Sequence, residues 1–250
     1  MATTATSASS ERLSDSVLRP TLGNAFEATV EQLATAIRLG VFVQGQQLPA
    51  ERELAERLGV SRNTLREAIA ALRESGFVET TRGRGGGTVV TYAAPEPGAG
   101  SPSGAGQRPF RAGHALLDAL DFRRVVEPGA AALAAGRPLA SDQRAWLQSA
   151  LREVDLAPDN AAHRLADSRL HLAVATLSGS PMLIEAVTRA QAALHEMLSQ
   201  IPVLRPNIAH SSAQHHEIVD AILGGDRPRA RDAMEEHCDA TAALLRGLIG

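Results

Sequence analysis

LPAERELAERLGVSRNTLREAIAALRESGFVETTRGRGGGTVV, residues Leu48 to Val90, decides the fold of the first third of the chain. After Pro49, Glu51 to Leu58 has helical composition. Gly59 ends that run, because glycine adopts a left-handed conformation cheaply. Ser61 stands where an N-cap belongs, and a further helix is expected from there to about Ser75. Past Gly76 the period changes. Phe77 to Thr81 and Thr88 to Thr91 form two short strands, with the Gly-rich tip Arg82 to Gly87 between them. Upstream, Phe26, Val30, Leu33 and Ile37 recur at helical spacing between Asn24 and Leu39, and Gly40 is a stop.

Two short helices with a glycine joint, followed by a hairpin, make a winged helix-turn-helix. The second helix starts with Arg62, Asn63, Thr64 and Arg66. In this motif the N-terminal residues of the recognition helix meet base edges, where Arg grips guanine bidentately and Thr or Asn bonds bases or phosphates. Arg82 and Arg84 stand on the wing tip, where Gly83 and the glycines after it allow close approach of backbone to a groove. Between Ser61 and Val90 there are five Arg and three Glu, so the head is mildly basic.

The rest of the composition sets limits. The chain has 250 residues and a formal net charge of −3, so a nucleic-acid site must be a local patch. All 25 basic residues are Arg, a chain-wide bias consistent with a GC-rich genome. Cys238 is the single cysteine, which excludes an intramolecular disulfide and suits a reducing, cytoplasmic setting. No stretch approaches the ~18 apolar residues of a membrane span, and the first ten residues lack the pattern of a signal peptide.

Residues 1–20 are small and polar, and a disordered tail is expected there. The head then occupies 21–92. Residues 93–111, which include PEPGAGSPSGAGQRP, form a Pro/Gly/Ser linker. From 112 to 250 the periodicity predicts an all-α bundle. Its helices lie at about Gly113–Ala135, Ser141–Leu156, Asn160–Leu177, Pro181–Gln200, Asn207–Leu223 and Arg227–Leu248. Ser141 and Asp159 stand at N-cap positions, and Pro128 should kink or split the first of these helices. The fold class is therefore mainly α, a small α+β winged helix-turn-helix followed by a helical bundle.

Within the bundle, Asp167 and His171 are four residues apart and share one helix face. His215 lies 44 residues beyond His171 and His237 a further 22, each inside its own predicted helix. One carboxylate and three imidazoles from three helices can converge on a cation. Asp with His suits Zn²⁺, with Ni²⁺, Mn²⁺ or Fe²⁺ as alternatives. On spacing alone, ordinary core or surface histidines are the commoner reading.

The Leu48–Val90 segment is similar to the DNA-binding domain of the GntR family of bacterial regulators, from about Phe26 onward without a gap. The resemblance places Arg52, from the ER-E-LA segment, in the DNA site, together with Ser61, Arg62, Asn63, Thr64, Arg66, Arg82 and Gly83. The family wing reads R-G-x-G-T-x-V, whereas this chain has one more glycine. From about Ala115 to Leu248 the chain resembles the FCD ligand-binding domain of the FadR subfamily. D-x3-H stands as Asp167 to His171, H-x2-I-x2-A-I as His215 to Ile222, and A-x6-H as Ala230 to His237. The resemblance implies a divalent metal on Asp167, His171, His215 and His237. It also points, through an R-x3-E pattern, to Arg123 as a clamp for a small organic or sugar acid. His216 would turn about 100° from His215; His163 and His195 have no motif support. Ser180 stands where the family commonly has Asn.

The implied molecule is a homodimeric, ligand-responsive regulator, most simply a repressor, on an inverted-repeat DNA operator. Two other classes stay open: a metal-dependent enzyme acting on a small acid, and a metal-free sensor of an acyl ligand.

Overall fold

A computed structural model describes residues 11–18, 25–81, 86–93, 109–198 and 205–249. Its contacts divide the chain into two units, residues 1–94 and 95–250.

In the first unit, residues 11–17 are helical (α1). This corrects the expected tail. Leu13 and Leu18 are 1% and 2% exposed, and Arg57 holds the segment through Ser14 Oγ (2.8 Å) and Asp15 (3.0 Å). Helix α2 spans Ala25–Arg38, α3 Glu51–Leu58 and α4 Arg62–Glu74. The joint between α3 and α4 follows from two residues. Gly59 has φ 63 and ψ 31, and its N–H donates to the carbonyls of Ala55 and Glu56. Ser61 Oγ then accepts from Thr64 N at 3.1 Å. Leu54 and Leu58 of α3 are buried with Leu65, Ala68 and Leu72 of α4, and α2 packs Leu33 and Ile37 nearby.

Strands β1 (Val78–Thr81) and β2 (Gly87–Val90) pair antiparallel, with Val78 opposite Val90 and both side chains buried. Gln47 adds a single bridge to Val89 on the open side of β2, and Leu48 N donates to Thr88 O. The wing is thus braced by the chain that enters α3. The wing-tip positions Arg82, Gly83 and Arg84 lie outside the described residues.

The second unit contains α5 (Pro109–Ala135), α6 (Ser141–Asp155), α7 (Asn160–Leu177), α8 (Pro181–Leu198), α9 (Arg205–Gly224) and α10 (Arg227–Ile249). Helix α5 is central, packing on α7, α8, α9 and α10, while α6 lies on α7 and α9. Small buried residues on α5, Ala130, Ala131, Ala134 and Ala135, let its neighbours approach. Three expectations need correction. Helix α5 is not split at Pro128 but runs through it as one element, and it begins at Pro109, inside the segment expected to be linker. The N-cap of α6 is Ala140 rather than Ser141. Gln143 Oε1 accepts from Ala140 N at 2.9 Å and replaces the missing side-chain cap. Asp159 caps α7 as expected, accepting from Ala162 N.

Candidate nucleic-acid interface and candidate metal centre

Of the residues expected to meet DNA, Arg52, Ser61, Arg62, Asn63 and Arg66 are exposed and Thr64 is half-buried. Arg62 is the first residue of α4 and forms no ion pair among the described residues. Arg66 Nε lies 2.7 Å from Glu51 Oε2, Arg52 Nη1 lies 2.9 Å from Glu56 Oε1, and Asn63 Nδ2 donates to Glu67 Oε1 at 2.9 Å. Ser61 and Thr64 face each other, with their hydroxyls 2.8 Å apart. Ser61 therefore serves the helix start as well as standing at the candidate surface. These pairs have little desolvation to overcome and little Coulombic gain in water, so they orient side chains more than they stabilise the fold.

In the bundle, α7 supplies Asp167 and His171 one turn apart, α9 supplies His215 and α10 supplies His237. The candidate ligand atoms of all four lie within 4.8 Å of one another. His215 Nε2 is 3.3 Å from Asp167 Oδ1, and His171 Nε2 is 4.0 Å from Asp167 Oδ2. The His215 and His237 ring centroids are 4.6 Å apart. The three imidazoles are 1–2% exposed, while Asp167 keeps 19% of its side chain open.

A tetrahedral Zn²⁺ with bonds near 2.1 Å would hold its ligand atoms about 3.4 Å apart, a modest contraction from this spacing. Two further observations fit a cation. Both ring nitrogens of His215 are buried without a hydrogen-bond partner, an arrangement that costs free energy unless something else uses the lone pair. Burial also pushes the His215 imidazole down to about 4, so it is the neutral, ligating form at neutral pH. Burial pulls the Asp167 carboxyl upward, but His215, His171 and Arg123 together outweigh it and keep the group ionised.

Around the cluster lies a buried polar layer. His171 Nδ1 is 2.6 Å from Glu127 Oε2, with the ring somewhat off the ideal line. That contact turns Nε2 towards Asp167, where Arg123 Nη2 also lies 3.3 Å from it. Glu127 Oε1 accepts from Arg123 Nε at 3.1 Å and from Gln191 Nε2 at 2.7 Å. Burial would raise the Glu127 carboxyl, yet Arg123 and His171 hold it down at about 2. On the far side, His237 Nδ1 lies 3.2 Å from Gln214 Oε1, which again presents Nε2 inward. Arg123 is 1% exposed, beside His171, and its Nη1 is buried with no hydrogen-bond partner.

His216 turns out to solvent and meets Asp155 at 2.9 Å. Cys238 is buried, 4.0 Å from Glu127 Oε2, outside the metal-ligand group, with its thiol pushed up to about 12 by burial. The sequence reading missed Glu127, Gln191 and Gln214 as orienting groups. Glu127 had a signal, standing four residues after Arg123; the two glutamines had none.

Comparison with known proteins agrees with both halves. Residues 26–90 match the model of "Bacterial regulatory proteins, gntR family", and residues 118–240 match the FCD domain. The "Putative HTH-type transcriptional regulator RmpR" of Mycobacterium gastri is 34% identical over 218 residues, 84% of this chain and 76% of that protein. The "Putative L-lactate dehydrogenase operon regulatory protein" of Escherichia coli K12 is 33% identical, over 77% of this chain and 75% of that one. The HTH-type transcriptional repressor NanR of Enterobacter sp. strain 638 is 28% identical over 85% and 82%. Among solved structures, E. coli McbR/YncC superposes with a TM-score of 0.53 at 19% identity, covering 92% of this chain and all of that one, which speaks to the fold alone. No helix among the described residues is long and apolar enough to cross a membrane. The chain belongs to the GntR family of bacterial regulatory proteins, as a DNA-binding transcriptional regulator, not an enzyme, with a C-terminal FCD domain.

Proposed function

We propose that this regulator is a repressor that holds an inverted-repeat DNA operator as a homodimer and responds to a small carboxylic acid bound at a divalent metal. The observation that carries the reading is the buried Asp167–His171–His215–His237 group with the unpartnered Nη1 of Arg123 beside it. Zn²⁺ suits these ligands best, and Ni²⁺, Mn²⁺ and Fe²⁺ also fit. Held by these four ligands and expanded from tetrahedral to five- or six-coordination, the metal would supply a Lewis-acidic centre with positions open to a carboxylate. Arg123 would orient that carboxylate, and Glu127 and Gln214 hold the histidines in the ligating tautomer. One relative's name refers to an L-lactate dehydrogenase operon, and another is named a repressor, which supports a small acid and a repressing role.

The homodimer is supported by a stripe on α5. Phe122, Val125 and Leu133 are 41%, 74% and 37% exposed on one face, and no atom of another element among the described residues lies within 4 Å of where a Cβ would stand at Gly129 between them. Two-fold symmetry in the protein would then match two-fold symmetry in the operator. An acid shifts the equilibrium only by its difference in affinity for the bound and released states.

With Zn²⁺-loaded protein, at least one acid from a panel of three- to six-carbon hydroxy and keto acids should raise the melting temperature by several degrees. The same acid should weaken the operator complex. No response to any acid with metal present would overturn the reading. On the DNA side, Arg62→Ala and Arg66→Ala should each cost about 1–3 kcal/mol of operator affinity in a gel shift. Unchanged binding by both variants would remove them from the interface.

A further inference from the structure

The Glu51–Arg66 pair is not explained by stability. Its side chains are 41% and 64% exposed, so water screens the attraction. It also differs from the two other polar pairs of the candidate DNA surface. Arg52–Glu56 and Asn63–Glu67 are one turn apart within single helices, as on any charged helix surface. Glu51 opens α3 and Arg66 lies on α4, fifteen residues on, so this contact spans the two helices of the motif.

The contact is made through one nitrogen. Glu51 Oε2 takes Arg66 Nε at 2.7 Å and leaves the Nη1–Nη2 edge, with four of the five guanidinium N–H groups, pointing elsewhere. The pair borders a groove of about 750 Å³ between α4 and the wing, also lined by Gln47, Arg73, Thr80 and Thr88. An unrestrained arginine on this surface would reach for whichever phosphate was nearest. Tied at Nε, it presents an end-on fork, the shape that matches guanine O6 and N7. The carboxylate also discriminates against error. If Arg66 left it for a phosphate, Glu51 would face a polyanion without a partner.

We infer that Glu51 is a positioning residue for sequence discrimination, holding Arg66 as a base reader rather than a phosphate binder. The inference rests on Arg66 meeting DNA, and the test separates the two. The full-length protein selects a duplex from a random 30-base-pair pool. Affinities are then measured for that duplex and for a shuffled one of equal length.

Glu51→Ala should weaken binding to the selected duplex about tenfold and leave the shuffled duplex unchanged or bound up to about threefold tighter. Glu51→Gln keeps an acceptor for Nε and should recover the selected duplex to within about threefold of the parent. In an Arg66→Ala background, Glu51→Ala should add nothing. Equal losses on both duplexes with a lowered melting temperature would assign Glu51 to the α3 N-terminus instead, and overturn the inference. So would additive losses in the double variant. If Arg66→Ala itself leaves the ratio of the two affinities intact, Arg66 is not a reader and the inference falls with it. If Arg66→Ala lowers that ratio but Glu51→Ala does not, only the inference falls.

Discussion

His215→Ala combined with His237→Ala should yield protein with essentially no bound metal by elemental analysis, against about one ion per chain in the parent. The two changes remove ligands from α9 and α10 and leave only Asp167 and His171, both on α7. A full set of four protein ligands binds Zn²⁺ with roughly 10–16 kcal/mol. Losing half of it should cost about 5–8 kcal/mol, roughly 10⁴- to 10⁶-fold in affinity. The parent should gain about 4 kcal/mol of stability at Zn²⁺ concentrations a thousandfold above its Kd, a rise of roughly 10 °C for a domain of this size. The double variant should show almost none. His216→Ala is the matched control, since His216 neighbours His215 but is half exposed and pairs with Asp155. It should keep its metal. Stoichiometric metal retained in the double variant would rule out this ligand set.

The convergence of these four side chains was legible because helical spacing is strict. Asp167 and His171, four apart, could only share a face, and family motifs supplied the two remaining histidines across three predicted helices. The supporting layer was harder. Gln191 and Gln214 act through single hydrogen bonds to Glu127 and His237, and one glutamine in a helix leaves no periodic trace. The role of Glu127 depends on which way α5 is turned within the bundle, and that is settled by packing against four helices rather than by its own sequence. His163, which has no motif support, is close enough to help hold the Asp167 carboxyl down.

In the head, the α3–α4 joint was legible because Gly59 and Ser61 each answer a specific backbone demand, a positive φ and an unsatisfied N–H. Helix α1 was not, because two leucines in a Ser-rich stretch give no period; its anchor is Arg57, more than forty residues away. Gln47 was missed as a wing brace for a similar reason: one bridge has no alternation to detect. At Ala140 the cap is made by Gln143 reaching back, so a rule that looks for a hydroxyl or carboxylate at the cap position chose Ser141 instead.

Arg123→Ala should be the most destabilising single change in the FCD domain, costing about 3–5 kcal/mol, because it strands a buried carboxylate. Arg123 and Glu127 are both 1% exposed, and Arg123 is the main cation holding the Glu127 carboxyl at about 2 against the burial that raises it. The sign of the pH dependence follows. A carboxyl depressed from 4.5 to about 2 contributes stability fully present above about pH 4.5 and lost as pH falls towards 2, worth about 3 kcal/mol. The parent should therefore lose stability steeply over that window. Without Arg123, burial is no longer outweighed and the carboxyl moves up, so much of the variant's deficit at neutral pH should shrink as the solution is acidified. Melting curves between pH 3 and pH 7 would show the two proteins converging. Glu127→Gln placed in the Arg123→Ala background should restore part of the neutral-pH loss, since it removes the stranded charge and keeps an acceptor for Gln191. Parallel pH curves for parent and variant, or no recovery from Glu127→Gln, would mean that Arg123 supports the bundle by packing alone.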